Sequence, residues 1–205
     1  MTCIVGVVED GVVWLGADSC AGTTGTYDHY PIKEPKLLYC EGTPVADSVL
    51  GGYSGSFRFG QLMAHHFIMP TERDTSADAL GYLVGTFLSA VRKTLQAHKF
   101  LHLEDGVESV PDDAQFLFAS HGRLWVMQSD FAVIESLHGE DAIGCGMAYA
   151  LGSLHGTRSF EITALERVEL ALKAAAERSA YVQPPFVSWC LRSDGTVLRR
   201  KTHGR

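Results

Sequence analysis

Three residues near the start of the chain have the types and spacing for nucleophilic chemistry: Thr2, Asp18 and Lys36. Thr2 follows Met1, and removal of an initiator methionine in front of a small side chain would leave Thr2 with a free α-amine. Such an amine titrates near pH 8, so at neutral pH a fraction is unprotonated and can activate the hydroxyl of its own residue. Nucleophile and base then share one residue and need no third segment to bring them together. A Met-Thr start by itself is common among cytosolic proteins; it is the surroundings of Thr2 that shift the reading. Asp18 lies sixteen residues after Thr2, and a hairpin turning at Asp10-Gly11 returns it to the neighbourhood of the nucleophile. An acid there also suits a turn or cap. Lys36 opens the run Leu37-Leu38-Tyr39, where its ammonium can pair with Asp18 and lower the proton affinity of a nearby amine by charge repulsion. Lys33, between Pro31 and Pro35, lies in a segment that disfavours strand pairing and reads as a solvated lysine.

The elements that must position these residues follow from pattern. Thr2 to Glu9 and Val12 to Ala17 flank Asp10-Gly11 as a hairpin, and Lys36 to Cys40 with Val45 to Gly52 form a second. Cys20 to Pro35 has no sustained period and reads as a long loop. Ser54-Gly55-Ser56 starts a helix through Phe57, Phe59, Leu62, Met63 and Phe67, ended by Pro70. A longer helix is expected from an N-cap at Ser76 to about His98, with Leu80, Leu83, Val84, Phe87, Leu88, Val91 and Leu95 on one face. Residues 101 to 114 read as irregular. Ala114 to Ala119 and Arg123 to Gln128 make a third hairpin, and Ile134 to Ile143 returns the chain to Gly144-Cys145-Gly146. Two helices, Met147 to Leu154 and Glu161 to Arg178, precede a last hairpin across Ser193-Asp194-Gly195. Hairpins alternating with helix pairs predict an α+β layered sandwich in a single domain over residues 1–205, an order that names no function by itself.

With those residues in place, the sequence resembles the proteasome β-subunit family of N-terminal-nucleophile (Ntn) hydrolases, with HslV and the Anbu-type peptidases. The resemblance runs through nearly the whole chain. It rests on Thr2-Cys3-Ile4-Val5-Gly6, Gly16-Ala17-Asp18-Ser19, Lys36-Leu37-Leu38-Tyr39, Val49 to Gly55, Ile143-Gly144-Cys145-Gly146 with Tyr149-Ala150-Leu151-Gly152, and the Ser193-Asp194-Gly195 hairpin. It implies a four-layer αββα sandwich, two antiparallel sheets between helix pairs. It further implies Thr2 as nucleophile, Asp18 and Lys36 as the charged pair beside it, and the Gly55 N–H as oxyanion donor. Gly51, Gly52 and Gly55 also read as a tight strand-to-helix turn. Cys145 stands where the family has a serine, and Ser179 where many proteasome subunits carry an aspartate. Val182 stands in place of a further serine, and Lys36 follows Thr2 by 34 residues, two more than usual. Gly52, Tyr53 and Phe57 map to the substrate pocket; two rings there predict a preference for small residues on the acyl side, although both rings also read as core beneath the helix.

The implied activity is that of a threonine endopeptidase acting on a peptide or unfolded protein, with no cofactor, in a homo-oligomeric ring or spiral. Two other readings stay open: a weak or inactive structural subunit on the same fold, and an Ntn amidase of small molecules. No unfoldase ATPase can be inferred from this chain. Seventeen Lys and Arg against 24 Asp and Glu give a net charge of -7, which argues against a nucleic-acid partner. Without a long apolar run or a leader pattern, the chain reads as non-membrane and cytoplasmic. Five cysteines without a CxxC pair read as reduced thiols, with Cys3 packed in the core, since a strand points it away from the Thr2 face. Scattered histidines and cysteines lack ligand spacing, so no metal site is expected.

Overall fold

The computed structural model describes residues 2–22, 29–71, 78–104, 106–111 and 114–202. Strands β1 (Cys3–Glu9) and β2 (Val12–Ala17) form the first hairpin. Its turn residues Asp10 and Gly11 have φ of 51° and 74°, the mirror-image geometry that matches strand twist. Where a loop was expected, β3 (Cys20–Gly22) pairs with β4 (His29–Pro31). The polar composition there hides pairing too short to show a period. Strand β5 (Leu37–Cys40) pairs with β6 (Val49–Ser54), and Val45–Asp47 is a 3-10 turn rather than the start of the strand.

Helix α1 (Phe57–His65) follows. The second helix departs from its expected form. Ser76 lies outside the described residues, and Asp78 caps α2 (Ala79–Tyr82) by accepting a 2.8 Å bond from the Gly81 N–H. A π-helical turn at Leu83–Phe87 joins α2 to α3 (Leu88–Ala97). The wider turn shifts the apolar stripe, so Tyr82, Leu83 and Phe87 are buried while Leu80 and Val84 are exposed. In the segment expected to be irregular, β7 (His102–Glu104) pairs with β8 (Val107–Ser109).

Strands β9 (Gln115–Ser120) and β10 (Arg123–Met127) form the third hairpin. The expected single strand from Ile134 to Ile143 is two, β11 (Val133–Glu135) and β12 (Glu140–Gly144), which belong to different sheets. The chain turns between them at Gly139, whose φ of 65° interrupts the extended backbone. Helices α4 (Met147–Thr157) and α5 (Ala164–Arg178) come next, the second opened by a Thr163–Glu166 capping box three residues later than expected. Strands β13 (Phe186–Leu191) and β14 (Val197–Thr202) close the chain.

One sheet has the order β12-β1-β2-β13-β14 and the other β11-β10-β9-β6-β5, each with five strands, antiparallel throughout. Three apolar cores separate the four layers. Phe59, Phe87, Val91, Phe116 and Trp125 fill the space between the second sheet and α1 with α3. Val5, Val7, Leu154, Val168 and Leu172 join the first sheet to α4 and α5. Ile4, Leu15, Leu50, Leu117 and Ile143 lie between the sheets. This is the expected αββα sandwich, built by strands whose alternate residues serve two different cores.

Candidate active site

The first residues of β1 define the site. Cys3 belongs to the core under α4 and α5, whereas Ile4 packs between the sheets. Strand alternation therefore puts Thr2 on the inner side and Cys3 on the outer, and Thr2 is buried. Desolvation in that core, reinforced by the Asp18 charge, pushes the Cys3 thiol well above its ordinary range, which makes it a poor nucleophile.

Register brings the remaining residues in. Cys3 stands opposite Gly144, so Thr2 faces the turn after β12. There Cys145 Sγ lies 3.4 Å from the Thr2 nitrogen, which donates to it, and 3.4 Å from the Thr2 carbonyl oxygen, to which it donates. The Gly146 N–H donates to the same carbonyl at 3.3 Å. Gly144 has φ of 90°, and a Cβ on it would run into the Thr2 carbonyl, so the turn requires glycine on both counts.

Asp18, one residue beyond β2, is buried beside this turn. Its Oδ1 accepts 2.9 Å from the Cys3 N–H and 2.7 Å from Lys36 Nζ, and its Oδ2 accepts 2.9 Å from the Cys20 N–H. Both side chains of the Asp18–Lys36 pair are 0% exposed. Lys36 lies just before the edge strand β5, and its ammonium is 6.0 Å from the centre of the Phe57 ring. Lys33 is exposed. The two amides that bind Asp18 carry no side-chain signature, so sequence reading did not find them; the only signal was that Asp18 falls where two strand ends meet.

Gly55 stands between β6 and the N-cap of α1, with φ of 81°. The preceding Ser54 has its Cβ 3.4 Å from where a Cβ on Gly144 would stand, so the end of β6 adjoins the Thr2 turn. Gly52 has Leu37 and Leu117 as strand partners, and a Cβ there would meet Ile4 Cγ2 at 2.6 Å; its bareness lets the sheets approach. Ser179 is the C-cap of α5, with its Oγ 3.9 Å from Cys145 Sγ. Val182 is buried against Cys3 and Gly146 in the outer core.

Tyr53 and Phe57 meet edge to face at 6.0 Å. Tyr53 belongs to the core under α1 and Phe57 packs against it, yet both also line an open cleft of about 590 Å³ between residues 31–39 and α1. Burial pushes the Tyr53 phenol up to about 12, so the ring is neutral at physiological pH. Among the described residues no group of three or more His, Cys, Asp or Glu is placed to hold a metal ion.

No protein-family model matches the chain, and no curated protein matches it. Solved structures do. The chain is similar to BPH from Thiobacillus denitrificans in complex with epoxomicin, with a TM-score of 0.74 and 19% identity over 93% of this chain and 98% of that one. It is similar to eukaryotic HslV from Trypanosoma brucei, with a TM-score of 0.64 and 17% identity over 93% and 99%. It is also similar to a Gly-1 mutant of Anbu from Hyphomicrobium sp. strain MC1, with a TM-score of 0.70 and 14% identity over 99% and 87%. These neighbours are proteasome-like Ntn hydrolases, and theirs is the fold of this chain.

Proposed function

We propose that the chain is a threonine peptidase that attacks a peptide carbonyl with the Thr2 hydroxyl once Met1 has been removed. The observation that carries this reading is the fully buried Asp18–Lys36 pair, fastened through Asp18 to the Cys3 amide next to Thr2. A buried ion pair is a costly way to stabilise a fold, and its placement beside a threonine at the head of a strand gives it chemical use. The Thr2 amine takes the hydroxyl proton as Oγ bonds to the carbonyl carbon, while Lys36 keeps positive charge beside the site. The Gly55 N–H donates to the developing oxyanion, a contribution of roughly 3 kcal/mol. Collapse breaks the C–N bond, the amine returns its proton to the leaving group, and an ester on Thr2 remains. Water, deprotonated by the same amine, then hydrolyses it. Cys145 and Ser179 hold the amine side of the site, the thiol being a weaker hydrogen-bond partner than a hydroxyl.

One set of observations favours a second reading, a weak or inactive assembly subunit: Cys145 and Ser179 at the family's polar positions, and Val182 packed as core. Mass spectrometry of the purified protein with and without a peptide vinyl sulfone separates the two. Loss of the Met1 mass and one adduct on Thr2 supports the peptidase; a processed, unlabelled Thr2 supports the subunit. Activity on small amides but not on peptides would reassign the site to an amidase. We further read residues 1–205 as one domain of a cytoplasmic homo-oligomer. The match of nearly the whole chain to nearly the whole of BPH and HslV supports the single domain, and among the described residues no helix is long and apolar enough to cross a membrane.

A further inference from the structure

We infer that Gly60 sets the size of the side chain accepted on the acyl side of the cleaved bond, and that the accepted class is large and apolar. This rests on the reading of Thr2 as nucleophile and reverses the preference for small residues that two aromatic rings suggest from sequence.

The cleft of about 590 Å³ falls within the usual range for ligand sites. Lys36 itself is not part of its wall; the cleft adjoins the charged pair through Phe57, whose ring centre lies 6.0 Å from the Lys36 ammonium, and through Pro35 and Leu37, the chain neighbours of Lys36. Ile32, Leu37, Leu38 and the two rings give it apolar walls. Lys33 and Glu34, of opposite charge, lie side by side on one segment and offset each other, and Gln61 and His65 are the polar residues of the α1 side.

Gly60 explains why the rings do not fill this space. A Cβ on Gly60 would run into three atoms of the Tyr53 ring, so the ring lies flat on the bare face of α1. Gly60 and Tyr53 are both buried, and the core beyond Tyr53 is occupied by other rings. The cleft is the open direction. Any side chain at position 60 therefore tips Tyr53 into the cleft and shortens it, whereas glycine keeps it deep.

The test compares two peptide substrates, identical except for Phe or Ala before the cleaved bond, on processed protein. Wild type should favour Phe in kcat/KM by about tenfold or more, the scale on which an apolar pocket discriminates. Gly60→Ala should reduce that ratio to about one. Ala64→Trp, an exposed cleft position one helical turn beyond Gly60, should reduce it from the outer side and serves if Gly60→Ala fails to fold. Thr2 labelling with no Phe preference in wild type, or with a ratio unmoved by both variants, overturns the inference and leaves the nucleophile standing. Processed protein that neither labels at Thr2 nor cleaves either peptide overturns both.

Discussion

Asp18 and Lys36 have given up hydration on both sides of an ion pair, so removing the lysine leaves the Asp18 carboxylate buried without that ammonium. Lys36→Ala should cost about 3 to 5 kcal/mol in urea unfolding, and should abolish vinyl-sulfone labelling of Thr2 in processed protein. Lys33→Ala, at an exposed position, should change stability by no more than about 0.5 kcal/mol and leave labelling nearly intact. The reverse outcome would sink the assignment of Lys36. Thiol chemistry offers a second check at this scale. Burial pushes the Cys3, Cys20 and Cys190 thiols up, and Cys40 to about 12, whereas Cys145 is the exposed one. Iodoacetamide at pH 8 should therefore modify Cys145 first in the native protein, as peptide mapping will show; early labelling of Cys3 would contradict its place in the core.

Elements position the site through their ends. The turn after β12 carries the partner of the Thr2 nitrogen, and it holds its shape through Gly144. Gly144→Ala should displace the Thr2 carbonyl and eliminate labelling while leaving the far-ultraviolet circular dichroism close to wild type; unaltered labelling would show that the turn is not needed. Farther from the site, α5 starts with a capping box in which Thr163 and Glu166 bind each other's backbone N–H. Thr163→Ala should lower stability by about 1 kcal/mol without changing Thr2 reactivity, a contrast that separates fold from function.

Across the whole molecule, Glu140 joins β12 to the two outer helices by ion pairs with Arg158 and Arg167. Burial alone would raise its carboxyl, but hydrogen bonds from both guanidinium groups outweigh burial and hold it below the ordinary value of 4.5. A carboxyl lowered by folding stabilises the protein above its unfolded value and loses that contribution as pH falls through the folded one. The stability gap between wild type and Glu140→Gln should be full at pH 7 and shrink below about pH 4.5. Neighbouring Asp141 is pushed up by burial and further by the Glu140 charge, so its opposite contribution weakens in the variant and the gap reports the two carboxyls together. Denaturant titrations at several pH values measure it. Light scattering should find an assembly larger than a dimer, and a stable monomer at micromolar concentration would count against the oligomer.

The amino-acid order by itself determined what local physics controls. Asp10-Gly11, His121-Gly122 and Asp194-Gly195 determined three hairpins, because glycine, and at the first two turns Asp10 and His121, takes the positive φ that other residues resist. Strand alternation separated Thr2 from Cys3, and the Thr2-to-Asp18 spacing placed an acid at the strand end. Lys36 rather than Lys33 was legible from the prolines that flank the latter. Features that depend on contacts between distant segments were decided only by the tertiary structure. Strands β3 and β4 are too short to show a period, and the split of β11 from β12 reflects which sheet each can join. The π-helical turn moved Leu80 and Val84 off an apolar stripe that periodicity assigned to them. The three donors on Asp18 include two backbone amides, which every sequence supplies at every position. Tyr53 and Phe57 showed only that aromatic bulk stood near the site. Whether that bulk filled the cleft or lay beside it depended on the bare face of Gly60, seven residues from Tyr53 in sequence and in contact with it only after α1 packs on the sheet.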